Sequence, residues 1–250
     1  MIILRRLALL LLPVLLPLYR RLAVSEGWLG IRIRSVLIEH NQRLLDRHGP
    51  ASLADFDRRV AALRPGDVCL DLGANVGIFT EKLAATGAEV HAYEPDPHCF
   101  AALERRFAGR ANVHLHPQAV AAEPGQFLLR RTRDFLTDPD AQSTSSSIVA
   151  SSPAIYDEEN AVMVQTLAFH DVVRGLGRPV ALVKMDIEGA EFGILDRILA
   201  DRAKGVELPL GALFVETHER HFPARFAMVA GLRQAGAQAG AAYPIDTYWP

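Results

Sequence analysis

The spacing of apolar residues changes twice along the chain. Over residues 25–64, in "GWLGIRIRSVLIEHNQRLLDRHG" and "SLADFDRRVAALR", apolar side chains recur near helical intervals. Gly49-Pro50 predicts a break there, and Ser52, with Asp55 three residues on, approaches a capping box that would open a second helix. Arg64-Pro65-Gly66-Asp67 reads as a turn. Short apolar runs then alternate with helical patterns. "DVCLDLG", "AEVHAYEP" and "NVHLHPQAV" read as strands, with "IFTEKLAATG" and "DPHCFAALERRFAG" as helices between them. Alternation of this kind predicts βαβ units: an α/β fold with a doubly wound, mostly parallel sheet and right-handed crossovers.

The rhythm breaks at Glu123 and resumes after Gly177. Between them "GQFLLRRT" and "AVMVQTLAF" read as strands, "DPDAQSTSSSIVASSP" as a poorly patterned Ser-rich loop and "FHDVVRGLG" as a short helix. This predicts an insertion of antiparallel strands, with residues 127–165 lying over an acceptor and Ser143–Ser147 ordering when it binds. The alternation returns as strand "PVALVKMDIEG", helix "AEFGILDRILA", strand "GALFVETH" and helix "FPARFAMVAGLRQAG", with "AYPIDTYWP" able to supply a last strand. The predicted organisation is a hydrophobic segment at 1–24, a helical extension at 25–64 and one domain at 65–250.

The chemistry gathers at strand ends. In "DLGANVG", Asp71 closes the first strand, and Gly73, Asn75 and Gly77 shape the turn into a helix. Glycine admits positive φ and lets a ligand approach the main chain. Alone, such a turn is weak evidence. Glu94 ends the next strand, where an acid can accept hydrogen bonds from both ribose hydroxyls of an adenosine. A carboxylate at Asp71 would repel a pyrophosphate, yet suits an ammonium or a nearby sulfonium. The combination points to S-adenosylmethionine rather than a dinucleotide. "LVKMDIEGAE" places Asp186, Glu188 and Glu191 at another strand end, and "FVETHERH" adds Glu216 and His218. Acids in a first helical turn are also favoured by the helix dipole, so Glu188 and Glu191 have a plain structural reading.

Composition narrows the class. The 250 residues carry a formal net charge of −2 and are 50% hydrophobic, which excludes a disordered chain and a general nucleic-acid binder. Two cysteines, one in a strand and one in a helix, read as reduced core thiols and point to a reducing cytoplasm. Leu7–Leu18 is apolar between Arg5-Arg6 and Arg20-Arg21, too short for a span of about twenty residues and interrupted by Pro13 and Pro17. A cytoplasmic protein is expected, with shallow membrane-surface contact through residues 1–24 an alternative to packing of that segment on the domain.

Taken in order, "CLDLGANVGIFT", "YEPDP", "VKMDIEGAE" and "FVETH" resemble the FkbM-type family of S-adenosylmethionine-dependent methyltransferases, from about Gly66 to His218. The resemblance implies a class I methyltransferase (Rossmann-like) fold with helices on both sheet faces. It also implies O-methylation of a sugar, glycolipid or natural product. By that match Asp71, Gly73, Asn75 and Gly77 would form the cofactor turn, Glu94 would hold the ribose, and Gln118 and Ala119 would border the adenine. The hydroxyl acceptor needs a base within reach. Asp186, Glu188 and His218 are the candidates, with Asp186 able instead to orient acceptor or cofactor. A divalent ion on Asp186, Glu188, Glu191 and Glu216 is a rival device, but no metal is assigned. His114 and His116 share a strand face and read as ordinary histidines. The competing functions are a non-catalytic S-adenosylmethionine-binding module and a nicotinamide oxidoreductase. The expected partner is a small-molecule or glycan acceptor, not a nucleic acid.

Overall fold

The computed structural model describes residues 27–135, 137, 146–149, 156–235 and 243–249. The hydrophobic segment at 1–24 and most of the Ser-rich loop lie outside the described residues.

Helix α1 (Trp28–Ala62) leads into β1 (Val68–Leu72), α2 (Ile78–Ala84), β2 (Glu89–Tyr93), α3 (Pro97–Arg106) and β3 (Val113–His116). Next come β4 (Ala119–Ala121), β5 (Gly125–Thr132), β6 (Tyr156–Ala168) and α4 (Phe169–Gly175). The chain closes with β7 (Leu182–Met185), α5 (Glu191–Arg202), β8 (Leu213–Val215), a 3-10 turn (Pro223–Arg225), α6 (Phe226–Ala235) and β9 (Ile245–Asp246).

Six strands form one parallel sheet in the order β3-β2-β1-β7-β8-β9. The period-two alternation of side chains gives this sheet two apolar faces. Leu70, Leu72, Val183 and Met185 meet Phe169 and Val173 of α4 and Ile194 and Ile198 of α5 on one face. Cys69, Val90, Leu182 and Phe214 meet Phe56 and Val60 of α1, Leu83 of α2 and Trp249 on the other. The architecture is therefore α/β and Rossmann-like, as the alternation predicted, and the tail supplies the last strand. Both cysteines are buried and free.

Three details differ from the sequence reading. Helix α1 runs unbroken through Pro50. Pro50 stands exposed, where water can take the carbonyl that its missing N–H leaves unpaired. Ser52 therefore caps nothing: it is buried with its hydroxyl unbonded, and Asp55 pairs with Arg58 and Arg59 instead. Secondly, "NVHLHPQAV" is two strands. Pro117 cannot donate to a ladder, and the chain changes sheets there: β3 pairs with β2, whereas β4 joins the insertion. Thirdly, the insertion sheet, ordered β4-β6-β5, begins before Glu123 and is mixed, with β4 parallel to β6 and β5 antiparallel to it.

The direction of winding reverses between β1 and β7, which opens a crevice at their carboxyl ends. The loops after these strands touch. Gly73 has φ +75°, and a Cβ there would lie 1.8 Å from the Asp186 carbonyl oxygen. Gly109 has φ +77° but faces open space. We expect Gly73→Ala to cost about 2–4 kcal/mol and Gly109→Ala about 1–2 kcal/mol, read from urea unfolding midpoints. Equal costs would show that the close approach of the two loops does not matter.

Candidate active site

The crevice encloses about 100 Å³ and continues into an open mouth; Gly73, Asn75, Glu94, Ala119, Asp186 and Glu188 contribute to its wall. A small-molecule site usually spans about 300–1,000 Å³, so a ligand of nucleoside size would extend into that mouth.

The first wall is the turn after β1. The N–H groups of Gly73 and Ala74 both donate to the Tyr93 carbonyl at 3.0 Å, tying the turn to the end of β2. Asn75 has φ 49°, and Gly77, at φ 84°, leads into α2. Asp71 does not reach the crevice. Its carboxylate is fully buried behind the turn, where Thr80 Oγ1 donates to Oδ2 at 2.6 Å and the Lys184 ammonium lies 3.4 Å from Oδ1. The expected contact with a cationic ligand tail is thus replaced by an internal partner. Lys184 is Asp71's neighbour in the β1–β7 register and donates to the Gly73 carbonyl at 2.6 Å. Burial alone would push its ammonium down, but the charges of Asp71 and Asp186 outweigh burial and raise it.

The second wall is Glu94, which is buried. Its Oε2 accepts from Asn75 N and its Oε1 from Asp96 N, each at 2.8 Å. Two fixed donors orient the carboxylate, and each oxygen keeps a second lone pair for a ligand. Burial pushes its pKa up to about 7, against the opposing pull of these hydrogen bonds. Asp96, unremarked in the sequence, caps α3 by accepting from His98 N at 2.9 Å and takes a forked pair of bonds from Arg131 at 2.7 and 2.8 Å. Arg131 stacks over Phe135 at 4.3 Å. This buried fork ties the insertion sheet to the Glu94 loop. Of the pair expected beside the base, Ala119 lines the crevice with Val120 and Leu129, whereas Gln118 is outside the lining.

The third wall carries acid. Asp186 and Glu188 line the crevice, and Ser147 Oγ donates to the Glu188 carbonyl at 2.5 Å, bringing Ser146 and Ile148 of the insertion over it. His218 is buried behind them. Its Nδ1 lies 3.1 Å from Glu191 Oε1, and its Nε2 lies 3.3 Å from Glu188, 3.8 Å from Asp186 and 3.8 Å from Glu216. Burial works against a charged ring, but hydrogen bonds to Glu188 and Glu191 prevail and hold its pKa up to about 11. An imidazolium at neutral pH has no lone pair for a substrate proton, so of the three candidate bases Asp186 and Glu188 are the better placed. Glu191 is also lost from the expected ligand set. It is fully buried and accepts from Gly189 N and His218 N at 2.7 and 3.0 Å. Glu216 lies outside the crevice lining, and burial with the facing Asp186 charge raises its pKa.

Lys184 and Arg131 escaped the sequence reading. A lysine inside the apolar run "LVKM", meant for a buried strand, was the available signal for the first.

The model of the FkbM methyltransferase domain matches residues 71–240. The chain belongs to the FkbM methyltransferase family. Shorter stretches are similar to curated methyltransferases. With 31-O-demethyl-FK506 methyltransferase FkbM of Streptomyces tacrolimicus the identity is 47% over 62 residues, covering 22% of this chain and 24% of that protein. With ribosomal RNA small subunit methyltransferase A of Moorella thermoacetica it is 46% over 57 residues, 23% of this chain and 20% of that one. With the probable counterpart in Methanosarcina mazei it is 36% over 87 residues, 33% and 32%. The chain therefore spans a fifth to a third of the length of these relatives. No solved structure matches it.

The state of Glu94 in this FkbM domain has a measurable consequence. Its carboxyl ionises near 4.5 when unfolded and near 7 when folded, so the native state holds the proton more tightly between those values. Its contribution to stability is full below about 4.5 and is lost as pH rises toward 7. The stability of the ligand-free protein relative to Glu94→Gln should fall across that window, read from urea midpoints at several pH values. A constant difference would place the Glu94 titration elsewhere.

Proposed function

We propose that this FkbM-family domain transfers a methyl group from S-adenosylmethionine to a hydroxyl of a sugar, glycolipid or natural product. The carrying observation is the buried Glu94 carboxylate, pinned by Asn75 N and Asp96 N at the crevice wall beside the Gly73 turn. That donor and acceptor set suits paired ribose hydroxyls. Ala119, Val120 and Leu129 offer an apolar wall for a base, and Asp186 offers negative charge to a cationic tail. With Asp71 consumed by Lys184, this last duty falls to Asp186.

When bound, S-adenosylmethionine supplies an electrophilic methyl group on a sulfonium. The domain must align an acceptor oxygen with it and remove the proton that oxygen loses. Besides Glu94, which is assigned to the ribose, Asp186 and Glu188 open on the crevice, and we assign proton removal to this pair. His218, locked on Glu191, acts as a fixed cation that orients them. The insertion segment Ser146–Ile148 borders the same space and would shape the acceptor side. Seven of the similar curated proteins are named for ribosomal RNA, but the acidic rim and a net charge of −2 weigh against a phosphodiester acceptor.

A surface feature favours a membrane-linked acceptor. Among the described residues no helix is long and apolar enough to cross a membrane. Helix α1 nevertheless buries Ile33 and Leu37 on the domain while leaving Trp28 70%, Ile31 53% and Ile38 39% exposed on its other side. Arg32 lies 4.8 Å from the Trp28 ring. Such a face, following a basic and apolar segment in sequence, suits the surface of an anionic bilayer.

Calorimetric titration should show binding of S-adenosylmethionine but not of NAD, with Glu94→Ala weakening it by about 10- to 100-fold through lost charge-assisted hydrogen bonds. Asp186→Asn should cut incorporation of labelled methyl into glycolipid and metabolite extracts by about 100-fold or more, with the protein still folded. Tight NAD binding alone, or full methyl incorporation by Asp186→Asn, would refute these assignments. In vesicle sedimentation, Trp28→Glu with Ile31→Glu should reduce recovery on anionic vesicles and leave S-adenosylmethionine affinity unchanged. Equal recovery would remove the α1 face from consideration.

A further inference from the structure

At the opposite end of the strands from the crevice, β2 and β3 carry a second cluster of chemistry that methyl transfer does not use. The parallel register sets His91 beside His114 and Tyr93 beside His116. Glu89, the first residue of β2, completes the group. Its Oε1 lies 3.1 Å from His91 Nε2 and 3.4 Å from His114 Nε2, and all three donor atoms fall within 4.8 Å of one another.

The two carboxylate–imidazole distances match a known geometry. A tetrahedral ion with bonds of about 2.0–2.1 Å to nitrogen and oxygen holds its donors about 3.3 Å apart. The group is also supported from behind. His91 Nδ1 lies 3.1 Å from His116 Nε2, and His116 stacks on Tyr93 at 4.3 Å. Glu89 Oε2 is engaged by Arg178, which turns Oε1 toward the two imidazoles. Ring nitrogens and carboxylates held by a second layer of partners are the arrangement that orients metal ligands.

We propose that Glu89, His91 and His114 form a site for a divalent transition metal of the zinc class. Two imidazoles with one carboxylate suit zinc better than magnesium, which takes oxygen donors. Three protein ligands leave the fourth position to water, and His114 stands at the surface, which gives the ion an entry path. The ion would pin edge strand β3 to β2, and β3 leads through Pro117 to Ala119 in the crevice wall. The reading revises the expectation that His114 is an ordinary histidine. It stands independently of the methyl-transfer assignment.

The test uses the full chain, stripped with chelator and titrated calorimetrically with zinc chloride, with cobalt(II) as an optical probe. We expect one equivalent per chain, the strong visible bands of tetrahedral cobalt, and a rise in melting temperature with zinc. His114→Ala, at a surface position, and Glu89→Gln should each weaken zinc by at least about tenfold. Glu188→Gln, in the crevice, should leave it unchanged. Absence of saturable binding, or binding kept by both sheet-edge variants and lost in Glu188→Gln, overturns the proposal. If His114→Ala does not fold, Glu89→Gln decides alone.

Discussion

One buried ammonium organises the catalytic end of the sheet. Lys184 lies between the Asp71 and Asp186 carboxylates and donates to the Gly73 carbonyl. Removing one partner from such a buried group typically costs about 3–5 kcal/mol, because the remaining charge has no water to turn to. The two strand-end loops that meet at the switch point are thereby held against each other. The close contact between Gly73 and the Asp186 carbonyl follows, and it leaves room for glycine alone. With Asp71 spent on Lys184, the acid that faces the crevice comes from the neighbouring strand.

The rest of the site repeats this economy of charge. Four carboxylates, Asp186, Glu188, Glu191 and Glu216, surround His218, and against the cost of burial Glu188 and Glu191 raise its pKa. At Glu94 burial outweighs the bonds from Asp96 N and Asn75 N and the more distant Lys184 charge, so its proton is held to near neutrality. The Asp96–Arg131 fork, also buried, joins the Glu94 loop to the accessory sheet. One family of side chains therefore serves as fixed support, and a smaller set, Glu94, Asp186 and Glu188, is left facing the space where a ligand fits.

Much of this was legible before any coordinates. The apolar periods located β1, β2, β7 and β8 and the helices between them, because strands of a parallel sheet covered on both faces read as near-continuous apolar runs. The glycine turn and Glu94 were legible because a parallel sheet always presents its functional loops at strand ends. Pro50 and Ser52 misled, since propensity is local and a long helix packed on a domain can carry an exposed proline. Pro117 was the reverse case, a visible breaker inside what read as one strand.

The order of residues alone determined the fold class, the family and the acids that could stand at the crevice. Only the packed sheet decided which of them do. Asp71 and Asp186 look alike as strand-end acids, and Lys184 touches both, yet the first is buried behind the turn while the second lines the crevice. His218 was one of three candidate bases, and its pKa is raised by carboxylates from other elements; His114 read as ordinary, and strand pairing sets it beside His91. Side-chain type is encoded locally, whereas charge state and partner depend on burial and on neighbours brought together from far along the chain.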